Sequence, residues 1–154
     1  MGYHVVDVDS VEPETGRPCE CRKLADAAGL SAMAVNRFRA APGEQLPLAY
    51  HHHETQEEAF YVVSGTLGVE TPDRTYEVDE NGLFAVDPGS PQRAYNPSDA
   101  TEDVVVLAVG APPAANDAVA YDPDAEHSGP TDGDTPEGDA PDDDTPEGDA
   151  PDDD

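Results

Sequence analysis

Three of the chain's five histidines stand together at His51, His52 and His53, and three glutamates follow closely at Glu54, Glu57 and Glu58. Imidazole and carboxylate are common donors for divalent metal ions, so these residues can do chemistry if they converge. In an extended strand, side chains two apart share a face. His51 and His53 then point one way and His52 the other. If the chain folds back before Ala59, Glu58 meets the pair. Two imidazoles and one carboxylate make a face for a divalent ion, with positions left open for solvent or substrate. The same residues also suit a solvated polar turn that binds nothing.

The surrounding elements must carry these side chains to one point. Tyr3 to Val8 alternates and reads as an edge strand, followed by a loop from Asp9 to Glu20. Arg22 to Ala28 has room for one or two helical turns, ended by Gly29. Ala34 to Ala40 reads as a strand with Val35, Arg37 and Arg39 on one face, and Asn36 and Phe38 on the other. Leu46 to His53 is extended, with the histidines at its far end. Ala59 to Val63 is aromatic and β-branched, as strands prefer. Thr66 to Thr71, Thr75 to Val78, Leu83 to Val86 and Gln92 to Tyr95 are further short strands, parted by Gly, Pro, Asn and Asp turns. Val104 to Val109 is the most apolar run and predicts a buried strand. Ala111 to Ala120 lacks a clear period and is expected to pack across the outside. About eight to ten short strands with few helices predict an all-β sandwich or closed antiparallel barrel, including the jelly-roll type.

Charge separates the chain into a body and a tail. The sequence has 35 acidic and 7 basic residues and a formal charge of -28. Residues 122–154 hold 15 of the acidic residues and no Lys or Arg, which leaves residues 1–121 at -13. Thr135 to Asp144 reads TPEGDAPDDD, and Thr145 to Asp154 repeats it. Such low-complexity acidic sequence cannot gather a core, so a disordered tail is expected. The acidic field disfavours nucleic acid and anionic membrane surfaces. With Lys23 the only lysine, the composition predicts a halophilic protein, of archaeal type, with salt screening its self-repulsion. No apolar run is long enough for a membrane span and no secretory signal is visible, so a cytoplasmic location is expected. Cys19 and Cys21 are too few for a four-ligand zinc site and read as isolated thiols, with a redox or auxiliary metal role as the other reading.

The spacing resembles the cupin family. The first cupin motif matches from His51 onward: His51-x-His53, four residues, Glu58, six residues, Gly65. The preceding glycine, Gly43, lies two residues further away than is usual. Glu57 fits a looser spacing, but Glu58 keeps the distance to Gly65. The second motif matches at Gly82, Gly89 and Asn96, with Asp87 where proline is usual and Gln92 where the last metal-binding histidine is expected.

The resemblance implies a double-stranded β-helix over residues 34–110, behind an N-terminal extension (1–33) and before a packing segment (111–121) and the tail (122–154). It implies a divalent metal, with Fe, Mn, Zn and Ni all open, held inside the barrel by His51, His53 and Glu58, with Gln92 facing them and His52 turned away. Gln92 can ligate weakly, hydrogen-bond a metal-bound water or substrate, or mark a site that now recognises an organic ligand. A metal-dependent oxygenase or isomerase for a small organic substrate is expected, with Arg37, Arg39 and Arg93 as candidates for holding an anionic group. A non-catalytic ligand-binding or sensory protein and a structural or storage barrel are the other readings. A storage barrel predicts a filled interior. Barrels of this family often pair through a sheet, so a homodimer is expected.

Overall fold

The computed structural model describes residues 2–113 and 116–125, and the chain up to Pro123 forms one compact unit. The acidic repeat expected to be disordered lies outside the described residues beyond Ala125.

Alternation of apolar and polar side chains builds the first sheet. β1 (Glu20–Lys23), β2 (Ala34–Ala40), β4 (Glu57–Ser64), β7 (Leu83–Val86) and β9 (Val104–Ala111) pair antiparallel in the order β1-β2-β9-β4-β7. β9 is central, and Val104, Val105, Val106 and Ala108 are all buried, which explains its apolar run. In β4, Phe60 and Val62 face the core while Tyr61 and Val63 are exposed. Glu58 lies on the same face as Phe60 and Val62, so the strand period itself drives a carboxyl inward.

The second layer is the sheet β6 (Thr75–Val78), β5 (Leu67–Glu70) and β8 (Arg93–Tyr95), extended by single bridges from Gln45 to Tyr95 and from His51 to Gln92. The second bridge joins it to β3 (His51–His53), which pairs with β10 (Ala118–Ala120). Phe38, Phe60 and Val106 from one layer pack with Leu67, Val69 and Ala94 from the other in a single core. The described residues are thus almost all β, in the two-layer barrel that the resemblance implies. The one α-helix, α1 (Leu24–Ala28), ends at Gly29 in the left-handed region, as expected. No described helix is long and apolar enough to cross a membrane.

Motif residues at the turns are structural. Gly65 has φ +81°, and a Cβ there would stand 2.6 Å from the Asp103 carbonyl oxygen, so both conformation and space require glycine. Asn96 is buried and donates to the carbonyls of Ala40 (3.0 Å) and Glu102 (2.9 Å), tying the end of β8 to the end of β2 and to the loop before β9.

The N-terminal extension departs from its sequence pattern. Tyr3 to Val8 is not a strand: Tyr3 and Val5 are exposed, and a 3-10 turn covers Val8–Ser10. The strand forms instead at Glu20–Lys23, inside a stretch that reads partly as loop and partly as helix. Its inward residue Cys21 is fully buried, next to Cys19, and both thiols are free. Small thiols fill this face as well as valines would, while Arg22 on the outer face donates to the carbonyls of Val8, Asp9 and Val11. The extension therefore completes the main sheet. The segment after β9 departs too, since its β10 pairs with the histidine strand itself.

Candidate metal centre

β3 delivers His51 and His53 to one side, and β4 delivers Glu58 opposite them. His51 Nε2 lies 3.2 Å from His53 Nε2, and His53 Nε2 lies 3.0 Å from Glu58 Oε1. The imidazole rings meet edge to face, 4.9 Å between centroids at 86°. One donor atom from each residue falls within 4.8 Å of the others. Donors about 2.1 Å from one ion and at right angles to each other stand about 3 Å apart, so the spacing fits one side of a coordination shell.

The outer neighbours of the two imidazoles favour unprotonated inner nitrogens. His51 Nδ1 is 2.8 Å from the Ala49 carbonyl oxygen, which fixes its proton there and turns the Nε2 lone pair inward. His53 Nδ1 stands 3.6 Å from Asp117 Oδ2. That separation is too long for a hydrogen bond, but the carboxylate still favours a proton on the near nitrogen. With both protons on the outer nitrogens, two Nε2 lone pairs face each other at 3.2 Å, an arrangement that a shared cation relieves. Burial lowers the pKa of both His51 and His53, and neighbouring imidazoles add to the effect. Burial also pushes the Glu58 carboxyl up to about 7. The 3.0 Å contact between His53 and Glu58 thus joins two groups whose charged forms burial disfavours. His51, His53 and Glu58 could hold a divalent ion, with any Glu58 proton released as it binds.

Gln92 faces this group from the position just before β8. It is 2% exposed, and its backbone exchanges two hydrogen bonds with His51, at 2.8 and 3.2 Å. Its Nε2 donates to Glu58 Oε2 at 3.3 Å, while its Oε1 is buried without a partner. An orphaned amide oxygen beside converging donors fits an ion or a bound water. His52 alternates with His51 and His53 along β3, is not among the residues that line the cavity, and pairs with Val119 across the strands.

Asp117 is the residue that sequence reading missed. It is buried, and its carboxylate accepts from the backbone N–H groups of Glu54, Thr55 and Gln56 and from the Thr55 hydroxyl. Burial works to raise its pKa, but the hydrogen bonds from Gln56 and Thr55 outweigh that and hold it low. Asp117 thereby clasps the turn between β3 and β4 while facing the outer nitrogen of His53. The available signal was one acidic residue in the otherwise uncharged stretch Ala111 to Ala120.

The cluster opens into a cavity of about 460 Å³. Phe38, Leu46, Phe60 and Ala108 give it apolar walls, and Asn36, Gln56 and Gln92 give it polar ones. Gly110 makes room for Gln56, because a Cβ there would stand 2.6 Å from the Gln56 amide carbon.

The three arginines expected to hold an anion are elsewhere. Arg37 pairs with Glu20 at 3.0 Å, Arg93 with Glu70 at 2.7 Å, and Arg39 reaches Asp103 at 3.8 Å. Arg37 and Arg39 lie on the face of β2 opposite Phe38, so strand alternation turns them outward. The arginine that lines the cavity is Arg17, from the loop before β1. Glu57 is exposed and takes no part.

Residues 36–110 match the family model described as a cupin domain. No curated protein sequence matches the chain. Among solved structures, the chain is similar to a protein described as a sugar phosphate isomerase from Acidithiobacillus ferrooxidans. They share 28% identity and a TM-score of 0.55 over 60% of this chain and 58% of that one, so the chain spans under two thirds of that protein's length. It is similar to a sugar phosphate isomerase of the cupin superfamily from Silicibacter pomeroyi, at 26% identity and a TM-score of 0.61, over 70% of this chain and 75% of that one. The polyketide cyclase RemF from Streptomyces resistomycificus shares the fold at 24% identity and a TM-score of 0.62, over 82% and 94% of the two chains. A histidine pair and glutamate inside a two-layer barrel, with the motif glycines and asparagine at its turns, agree with that match: the chain carries a cupin domain over residues 36–110.

Proposed function

We propose that the protein is a metal-dependent enzyme that isomerises or oxidises a small organic substrate in this cavity. The observation that carries the reading is the convergence of donor atoms from His51, His53 and Glu58 on one point beside an open cavity. A divalent ion held there (Fe, Mn, Zn or Ni) would supply Lewis-acid or redox chemistry. The protein's own residues do the rest. The Ala49 carbonyl and Asp117 orient the two imidazoles. Gln92 steadies Glu58 through its amide N–H and keeps its oxygen free for the ion or a bound water. Phe38 and Phe60 exclude water from the carbon skeleton of the substrate. Likeness to two proteins described as sugar phosphate isomerases favours isomerisation over oxidation. The open cavity argues against a structural or storage barrel, which needs a filled interior.

Elemental analysis of untagged protein tests the metal. The expected result is about one ion per chain, little in His53→Ala, and slower loss to chelator in Gln92→His, because imidazole is the better ligand for these ions. Metal-free protein after reconstitution in high salt would overturn the reading and favour a ligand-binding barrel without turnover, in which the same donors hold an organic molecule by hydrogen bonds.

The acidic body and the two buried thiols suit a reducing, salt-rich archaeal cytoplasm. Tyr61, Val63 and Leu83 are exposed together on the outer face of β4 and β7, and we assign this face to pairing with a second copy. A neutral apolar face suits association between two strongly acidic molecules. Light scattering in high salt checks it: a dimer mass is expected for the parent and a monomer mass for Leu83→Asp, and a parent that stays monomeric sinks the assignment.

A further inference from the structure

The cavity has the opposite charge to the protein. The chain carries 35 acidic and 7 basic residues, yet the charged side chains that line the cavity are Arg17, Lys23 and Glu58. Two of them are cations. Any divalent ion on the cluster would add to this reversal. Lys23 is already paired, 3.0 Å from Glu14, and its side chain is half exposed. Arg17 is different. Its guanidinium lies 5.8 Å from the centre of the Phe38 ring, and its Nη2 makes one long hydrogen bond, 3.4 Å, to the Leu46 carbonyl. Its Nε is buried and has no hydrogen-bond partner. Among the described residues Arg22, Arg37, Arg39 and Arg93 each reach a carboxylate, and Arg17 reaches none. Arg74 is also without one, but it is exposed in the β5–β6 turn.

A guanidinium has five N–H donors and stays charged at any working pH. Leaving a buried donor unpaired carries a cost that a bound acceptor removes. The acceptors that match its fork are carboxylate and phosphate. The apolar walls at Phe38, Leu46 and Phe60 suit a short carbon skeleton, and the volume is within the range of small-molecule sites. In so acidic a protein, a cationic cavity would repel no anion that reached it, and low-dielectric walls would strengthen the pairing.

We infer that the cavity takes a small organic anion, and that Arg17 holds its carboxylate or phosphate while the rest of the molecule extends toward His51, His53 and Glu58. The inference rests on the cavity being the substrate site, and not on which ion the cluster holds.

Calorimetric titration of the full chain with two matched pairs of probes tests it: lactate against lactamide, and glycerol 3-phosphate against glycerol. At fixed ionic strength the parent is expected to bind at least one anion, and neither neutral partner. Binding of lactate alone identifies a carboxylate ligand, and binding of glycerol 3-phosphate alone a phosphate ligand. Arg17→Gln should weaken that binding about tenfold or more, and Arg17→Lys should keep part of it, as a point charge without the fork. Should Arg17→Gln fail to unfold cooperatively, nitrogen NMR of the parent decides: the Arg17 Nε resonance should move on adding the anion while that of Arg74 stays. Equal binding by parent and Arg17→Gln, an unmoved Arg17 resonance, or no binding of either anion overturns the inference. Metal content is measured on the same samples. An Arg17 effect in protein without metal would sink the metal reading and leave this one standing. Metal without an Arg17 effect would do the reverse.

Discussion

Glu58 is pulled two ways, toward a proton by burial and toward an anion by any metal. Its carboxyl sits at about 7 against an ordinary value of 4.5, so the native chain binds this proton more tightly than the unfolded chain does. The stabilisation is complete below about 4.5 and is lost as pH rises toward 7, because there the unfolded chain has released the proton and the native chain still holds it. At about 1.4 kcal/mol per unit, the metal-free protein should lose on the order of 3 kcal/mol across that window relative to Glu58→Gln. Urea unfolding of both proteins in chelator at pH 5 and pH 8 measures this, and parallel pH dependence would refute it. A metal ion replaces the proton, so metal uptake at pH 6 should release close to one proton per ion, read from calorimetry in buffers of different ionisation enthalpy. At Cys19 burial acts in the same direction and pushes the thiol up to about 12, which suits a core side chain and not a redox one.

Among the elements, β10 has the least apolar surface to bury, since all three of its residues are exposed, and its place depends on polar contacts. Its partner is the histidine strand, and Asp117 at its start clasps the β3–β4 turn. A carboxylate that orients a metal-binding imidazole contributes about 10- to 100-fold to metal affinity. Asp117→Ala should therefore loosen metal by that factor, seen as faster loss to a competing chelator. Asp117→Asn should keep some of the clasp but less of the orientation. Unchanged metal retention in Asp117→Ala would show that β10 only covers the barrel. Gly110 acts on the same turn from β9. Gly110→Ala would push the Gln56 amide aside, at about 1–3 kcal/mol for an overpacked site.

For the whole molecule, the formal charge of -28 dominates. Like charges on one chain repel, and salt screens them with a length of about 3 Å at 1 M. The unfolding midpoint should rise as salt is raised from 0.1 to 2 M. Removing residues 126–154 should leave unfolding cooperative and make the rise shallower, since much of the acidic charge goes with them. Thermal unfolding of both chains across the salt series checks this, and loss of cooperativity in the shortened chain would show that the repeat belongs to the fold.

How legible each part was in the sequence follows the range of the interactions behind it. The period of two that places His51 with His53, and Glu58 with Phe60 and Val62, is a property of the strand, so the donor set and the β-class could be read before any folding. The glycines at the turns and the acidic repeat are equally local. Arg17 and Asp117 are different. Arg17 meets a carbonyl 29 residues away, and Asp117 meets amides 61 to 63 residues away. Tyr3 to Val8 alternates as well as Glu20 to Lys23 does, and only the open edge of β2 decides which of the two becomes a strand. Local pattern determined what each segment can be, whereas partner choice, burial and the sign of the cavity's charge were decided by closure of the barrel.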